Sequence, residues 1–176
     1  MSVSVQIKIN PNLYLRDPQA TNLGKKIIKH GIILIEEIGI ESFNFKKLAE
    51  AMDSTEASIY RYFENKHLLL LYLTSWYWEW VSYLIDIHTL NIKNSKEKLT
   101  VAINTLVDAS DENPAVEYVN EEILHRIVIH ESAKAYHTVA VDDENKNGLF
   151  ESYQAAVGKL GKIICENNVN FPYRKS

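Results

Sequence analysis

Along the first third of the chain, apolar residues recur at helical rather than alternating spacing. Ile27, Ile28, Leu34, Ile35 and Ile38 form one face, which predicts a first helix capped by Thr21 or Asn22 and ended by Gly39. Phe45, Leu48, Ala49 and Met52 mark a second helix at about 45–52, with Asn44 as its cap. Asp53 and Ser54 interrupt the pattern. Thr55 then caps a short third helix through Ser58, Ile59 and Tyr62 to about residue 63. A long fourth helix is predicted over about 65–90. It is apolar on nearly all sides at 68–73 and then aromatic, with Tyr72, Trp76, Tyr77, Trp78, Trp80 and Tyr83. A helix of that kind is buried in a larger helical body. Ser95 caps a fifth helix to about Ala109, residues 111–114 read as a turn, and a sixth helix covers about 115–137. A polar loop at 142–148 leads to a seventh helix at about 149–167. Only residues 3–9 alternate, with Val3, Val5, Ile7 and Ile9 between polar neighbours. An isolated strand has no partner here, so an extended arm is expected, and Pro11 and Pro18 keep residues 10–20 largely non-helical. The fold class that follows is all-α.

Composition narrows this further. The 176 residues include only 6 Gly and 4 Pro, which argues against a many-turned sandwich or barrel. The single cysteine, Cys165, excludes an internal disulfide and any multi-cysteine metal site, and reads as a buried small hydrophobe. No apolar run reaches the roughly 18–20 residues needed to span a bilayer. With no secretory signal pattern, a cytoplasmic protein without membrane contact is expected. The net charge of -4 looks unfavourable for a nucleic-acid partner. It is unevenly spread, however: residues 1–70 hold nine basic and eight acidic groups, a net of +1, and the acidity lies in the remainder. A weakly basic front on an acidic back is compatible with a DNA-binding head on an acidic body.

The densest signal lies between residues 40 and 70. Two short helices joined by a tight turn match helix-turn-helix geometry. The string LAEAMDSTEASIYRYFENKHLL, residues 48–69, with GIESFNFKK before it, resembles the N-terminal domain of TetR-type transcriptional regulators. The resemblance is close over about 22–70 and extends over the helical body only in outline. Asp53 stands where that family commonly has Gly, and Ser54 where a buried Val is usual. Asp tolerates a left-handed backbone better than most residues, so the turn remains feasible.

The resemblance implies three regions: an N-terminal arm (1–20), a helix-turn-helix DNA-binding domain (21–65) and a helical regulatory body (66–176). It further implies that residues 55–62 form the recognition helix in the major groove of double-stranded operator DNA. Thr55 begins it, and Glu56, Ala57 and Ser58 face base edges. Glu56 can accept from cytosine N4 but also repels phosphate. Tyr60, Tyr62 and Lys66 fall where the family contacts phosphate. Asn44, Lys46 and Lys47, at the start of the second helix, can meet the DNA backbone. Lys8 and Arg16 could reach DNA from the arm, although an arm packed on the protein is the more ordinary arrangement.

By the same resemblance the body binds a small molecule and pairs two chains into a homodimer. Tyr72, Trp76, Trp80 and Tyr83, spaced by four, four and three, are the ligand candidates; ordinary core packing explains such a row equally well. On the sixth helix, Glu121/His125 and Glu122/Arg126 are i, i+4 pairs suited to surface ion pairing, and no metal site is assigned. No catalytic motif and no cofactor-binding pattern is present. The family usually pairs through two C-terminal helices, and only one is predicted after the 142–148 loop. The expectation is a shortened chain lacking the last dimerisation helices. The function implied is a DNA-binding regulator, most often a repressor. It would bind a near-palindromic operator as a dimer and be released by a ligand. The alternative is an all-α small-molecule-binding protein or enzyme that retains the head as a relic.

Overall fold

The computed structural model describes residues 6–111, 113, 116–136 and 150–168, and these contain α-helices and short 3-10 turns but no strand. The predicted loop at 142–148 and residues 112 and 114 of the predicted turn fall outside them. The helices are α1 (Asn22–Ser42), α2 (Phe45–Ala51), α3 (Glu56–Tyr60), α4 (Lys66–Thr89), α5 (Ser95–Asp108), α6 (Glu121–Tyr136) and α7 (Glu151–Asn167). None of them is long and apolar enough to cross a membrane.

The first five starts are all sealed by side chains. Thr21, Asn44, Thr55 and Asn65 accept from the backbone N–H groups of Gly24, Lys47, Ser58 and Leu68. Each such cap contributes about 1 kcal/mol by satisfying an otherwise orphaned donor. At α5 the cap is Asn94 rather than Ser95, because the Asn94 side chain accepts from Glu97. α6 begins later than expected: residues 116–120 are non-helical, and Val116, Tyr118 and Val119 turn inward. α1 does not stop at Gly39. That glycine takes φ +70 and breaks the ladder, and a last turn continues to Ser42.

From residue 6 onward the N-terminal segment is no free arm. Ile7, Ile9 and Leu13 are buried in the core, and Gln19 holds Ile7 through both its N–H (3.1 Å) and its C=O (2.6 Å). The Tyr118 hydroxyl donates to the same Gln19 at 2.8 Å. Gly24 is required here, since a Cβ would lie 2.3 Å from the Pro18 carbonyl oxygen. Lys8 lies beside Glu79 and Glu151, and Glu79 is about 20 Å along α4 from the head. Lys8 therefore lies against the body, away from α2 and α3. Arg16 stacks over Tyr62, 5.4 Å from its ring centre.

α4 is the axis of the molecule. Residues 69–77 of it are all buried, and it packs against α5, α6 and α7. This explains its all-round apolar sequence. Cys165 on α7 is only half-buried.

Candidate nucleic-acid interface

Leu48, Ala49, Ile59 and Phe63 are buried and fix α3 against α2. Between them the chain reverses in a complete Schellman turn. The Ser54 N–H bonds to the Ala49 C=O (2.9 Å) and the Asp53 N–H to the Glu50 C=O (3.2 Å). Asp53 occupies the left-handed position at φ 52, as its place in the sequence suggested. Lys26 adds a brace, donating to the C=O of Met52 at 2.6 Å.

On this frame Asn44, Lys46 and Lys47 at the start of α2 and Thr55, Glu56 and Ala57 at the start of α3 are exposed together. Thr55 and Asn44 serve as the caps. Ser58 is half-buried, with its hydroxyl 2.9 Å from that of Thr55. Tyr60 is 48 % exposed, its ring propped edge-on against Phe45 at 5.0 Å. The Lys47 ammonium folds back to the Ser42 C=O at 2.7 Å.

Two expected contacts are corrected. Tyr62 is only 1 % exposed and its hydroxyl lies 2.8 Å from that of Thr21, so it belongs to the core beneath Arg16. Lys66 donates to the carbonyls of Ile40 (2.8 Å), Glu41 (3.1 Å) and Phe43 (3.1 Å). An ammonium has three donors, and all three are engaged in closing the corner between α1 and α2. Burial of one and engagement of the other remove both from the expected phosphate row. Arg61 was overlooked. It sits exposed at the C-cap of α3, and its signal was a cation inside the Tyr60–Tyr62 string.

In the body, Trp76, Trp80 and Tyr83 form a continuous stack with centroids 5.7 and 5.6 Å apart. Tyr72 lies elsewhere in the core, edge-on to Tyr14 and Phe63. Burial raises its phenol far above the ordinary range. Only Tyr83 of the four reaches the surface. The indole N–H of Trp80 is buried without a hydrogen-bond partner among the described residues. The Tyr77 hydroxyl meets His125 Nδ1 at 2.6 Å, and burial pushes that phenol up to about 12, so it stays neutral. Arg126 pairs with Glu122 (2.7 Å), as the spacing suggested, and also crosses to Glu36 of α1 (2.6 Å). A cavity of about 590 Å³ opens between α1 and the 116–123 segment, lined by Lys29, Ile33, Tyr118 and Glu121 among others. No group of three His, Cys, Asp or Glu residues able to hold a metal occurs among the described residues.

Residues 27–73 match the family of bacterial regulatory proteins, tetR family. No curated protein matches the chain in sequence. Among solved structures, the chain is similar to that of AibR in complex with isovaleryl coenzyme A and operator DNA. The TM-score is 0.57 at 16% identity, over 84% of this chain and 75% of that one. At that identity the likeness speaks for the fold. The turn geometry and the family match agree on the head: residues 27–73 are similar to the N-terminal helix-turn-helix of bacterial regulatory proteins of the tetR family.

Proposed function

We propose that the chain is a ligand-responsive repressor of the TetR type, acting in the cytoplasm without enzymatic activity. It binds a near-palindromic operator as a homodimer and leaves it when a small molecule enters the body. The observation that carries this reading is the rigid exposed row of Lys46, Thr55, Glu56, Ala57, Tyr60 and Arg61 over a closed three-helix frame. Asn44 and Lys47 add the start of α2 to that surface, and Ser58 sits behind it. The front of the chain has a net charge near zero, so a lone head binds weakly and a pair is needed.

For the ligand, Trp76, Trp80 and Tyr83 support a flat, mainly apolar molecule, and Tyr72 marks the head end of the same helix. A buried orphan N–H costs about 1–3 kcal/mol. The Trp80 indole would therefore favour a ligand with an acceptor oxygen. AibR was solved with both an acyl-coenzyme A and operator DNA, which supports pairing a small ligand with DNA here as well.

The test is fluorescence anisotropy with DNA flanking the chain's own gene, titrated with salt. Specific binding is expected. Tyr60→Ala should weaken it about tenfold. Lys46→Ala and Arg61→Ala should each lower the salt slope by about one. Absence of specific binding by a confirmed dimer rejects the proposal.

A further inference from the structure

Residues 13–18 form a turn held at both ends. Leu13 is buried before it and Pro18 after it. The Tyr14 ring lies edge-on to Tyr72 of α4 at 6.0 Å. The Leu15 N–H donates to the Tyr62 C=O at 2.8 Å, which pins the turn to the chain just past the end of α3. Asp17 accepts from the Gln19 N–H at 2.8 Å and from the Gln6 side-chain amide at 3.3 Å. That carboxylate is committed within the N-terminal segment rather than to its neighbour Arg16.

Arg16 is exposed between these anchors. Its guanidinium stands over the Tyr62 ring, 5.4 Å from the centre, and the Tyr62 hydroxyl is itself tied to that of Thr21 at 2.8 Å. A cation–π contact steadies a guanidinium without using its N–H groups. Among the described residues the Arg16 side chain has no ion pair and no hydrogen bond, so its five donors are uncommitted. Such a planar fork can grip a phosphate through two parallel bonds.

Other cations of this region are spoken for. Lys26, Lys47 and Lys66 donate to carbonyls, Lys25 lies over the Tyr118 ring at 5.5 Å, and Lys8 lies against the body. Arg61, exposed at the C-cap of α3, directly precedes the residue to which the turn is pinned. Arg16 and Arg61 thus flank the same stretch of backbone, one from the N-terminal turn and one from α3.

We infer that Arg16 is a DNA-phosphate contact, held ready on the 13–18 turn and extending the α3 surface past its C-terminal end. The inference rests on the DNA-binding reading above and deepens it by adding a residue that belongs to none of the head helices. Because the turn is already ordered, the contact costs little conformational entropy. A phosphate contact positions the head and carries no sequence information.

The test is fluorescence anisotropy with the full chain, on its own flanking DNA and on an unrelated duplex of equal length, each titrated with salt. Circular dichroism first shows that each variant is folded. Arg16→Gln should weaken binding to both duplexes about tenfold and lower the salt slope by about one per bound head, as Arg61→Ala does. Arg16→Lys keeps the charge and should keep the slope, with a smaller loss of affinity from the missing fork. Weakened binding at constant slope in Arg16→Gln would show that the guanidinium only steadies Tyr62 and the end of α3, and overturns the inference. Unaltered binding overturns it as well. A loss confined to the chain's own DNA would place Arg16 on base edges and also overturn it. If the unaltered protein binds both duplexes alike, the reading as a specific regulator fails, while a lowered slope in Arg16→Gln still upholds the phosphate contact. Binding to neither duplex overturns both.

Discussion

The head and the body use their lysines differently. In the head and at its junction with α4, Lys26, Lys47 and Lys66 all donate to backbone carbonyls at helix ends. In the body, Lys98 pairs with Glu166 at the surface, and Lys159 pairs with Asp86 while also donating to the Ser82 C=O. Two of the three head helices, α2 and α3, are short, and their orphan carbonyls are many relative to their length. Capping them with cations rigidifies a small unit that has little core of its own. The lesson concerns charge counting. A basic residue near a DNA-reading helix is not thereby a phosphate contact, and the outward cations of α2 and α3 are fewer than the sequence total suggests.

The largest expected effect lies where the two regions meet. Phe63 is fully buried and packs edge-on against Tyr72 of α4 at 5.3 Å. Phe63→Ala should cost about 3–5 kcal/mol. If head and body share one core, urea unfolding followed by tryptophan fluorescence, which reports the body, should shift together with far-ultraviolet circular dichroism. Two separated transitions would show that the head unfolds by itself.

Next in size is a direct contrast between the two kinds of lysine. Lys66→Met strands three carbonyls and should cost about 1–3 kcal/mol in the same unfolding experiment. Lys98→Met removes one partner of an exposed pair and should cost under about 1 kcal/mol. Equal losses would erase the distinction between capping and pairing.

Asp53→Gly should act in the opposite direction. The left-handed position costs a side-chain-bearing residue about 1 kcal/mol, and glycine removes that cost. A melting temperature that rises, with DNA affinity unaltered, would show that Asp53 is tolerated in the turn rather than needed by it. A fall would mean its carboxylate holds something in solution that outweighs the strain.

The head was legible because its signals are local. Thr55 and Asn44 announce their helices within three residues, and Asp53 is one of the few residue types suited to its turn. The body was less so. α4 carries apolar residues on every face, and nothing in such a pattern tells whether Trp76, Trp80 and Tyr83 enclose a ligand or each other. The site errors share a cause. Tyr62 and Lys66 lie in the string that most resembles the family, but whether a side chain faces out depends on what stands opposite it. Tyr62 meets Thr21, forty-one residues away, and Lys66 meets Ile40, twenty-six residues away. Neither partner can be found by spacing.

The smallest effect tests whether the head's cations also repel one another. His30 on α1 titrates below the ordinary 6.5, first because it is partly desolvated and then because Lys26 and Lys29 stand beside it. A histidine whose pKa is lowered on folding binds its proton more readily in the unfolded chain. Stability should therefore hold its full value above pH 6.5 and decline as pH falls below it. His30→Gln removes that group and should make the stability difference between pH 7 and pH 5 smaller than in the unaltered protein, measured by urea unfolding at each pH. An unchanged difference would mean that the Lys26–Lys29 stretch imposes no penalty, and that the head could carry more positive charge than it does. A reduced difference would mean that the helix resists further protonation.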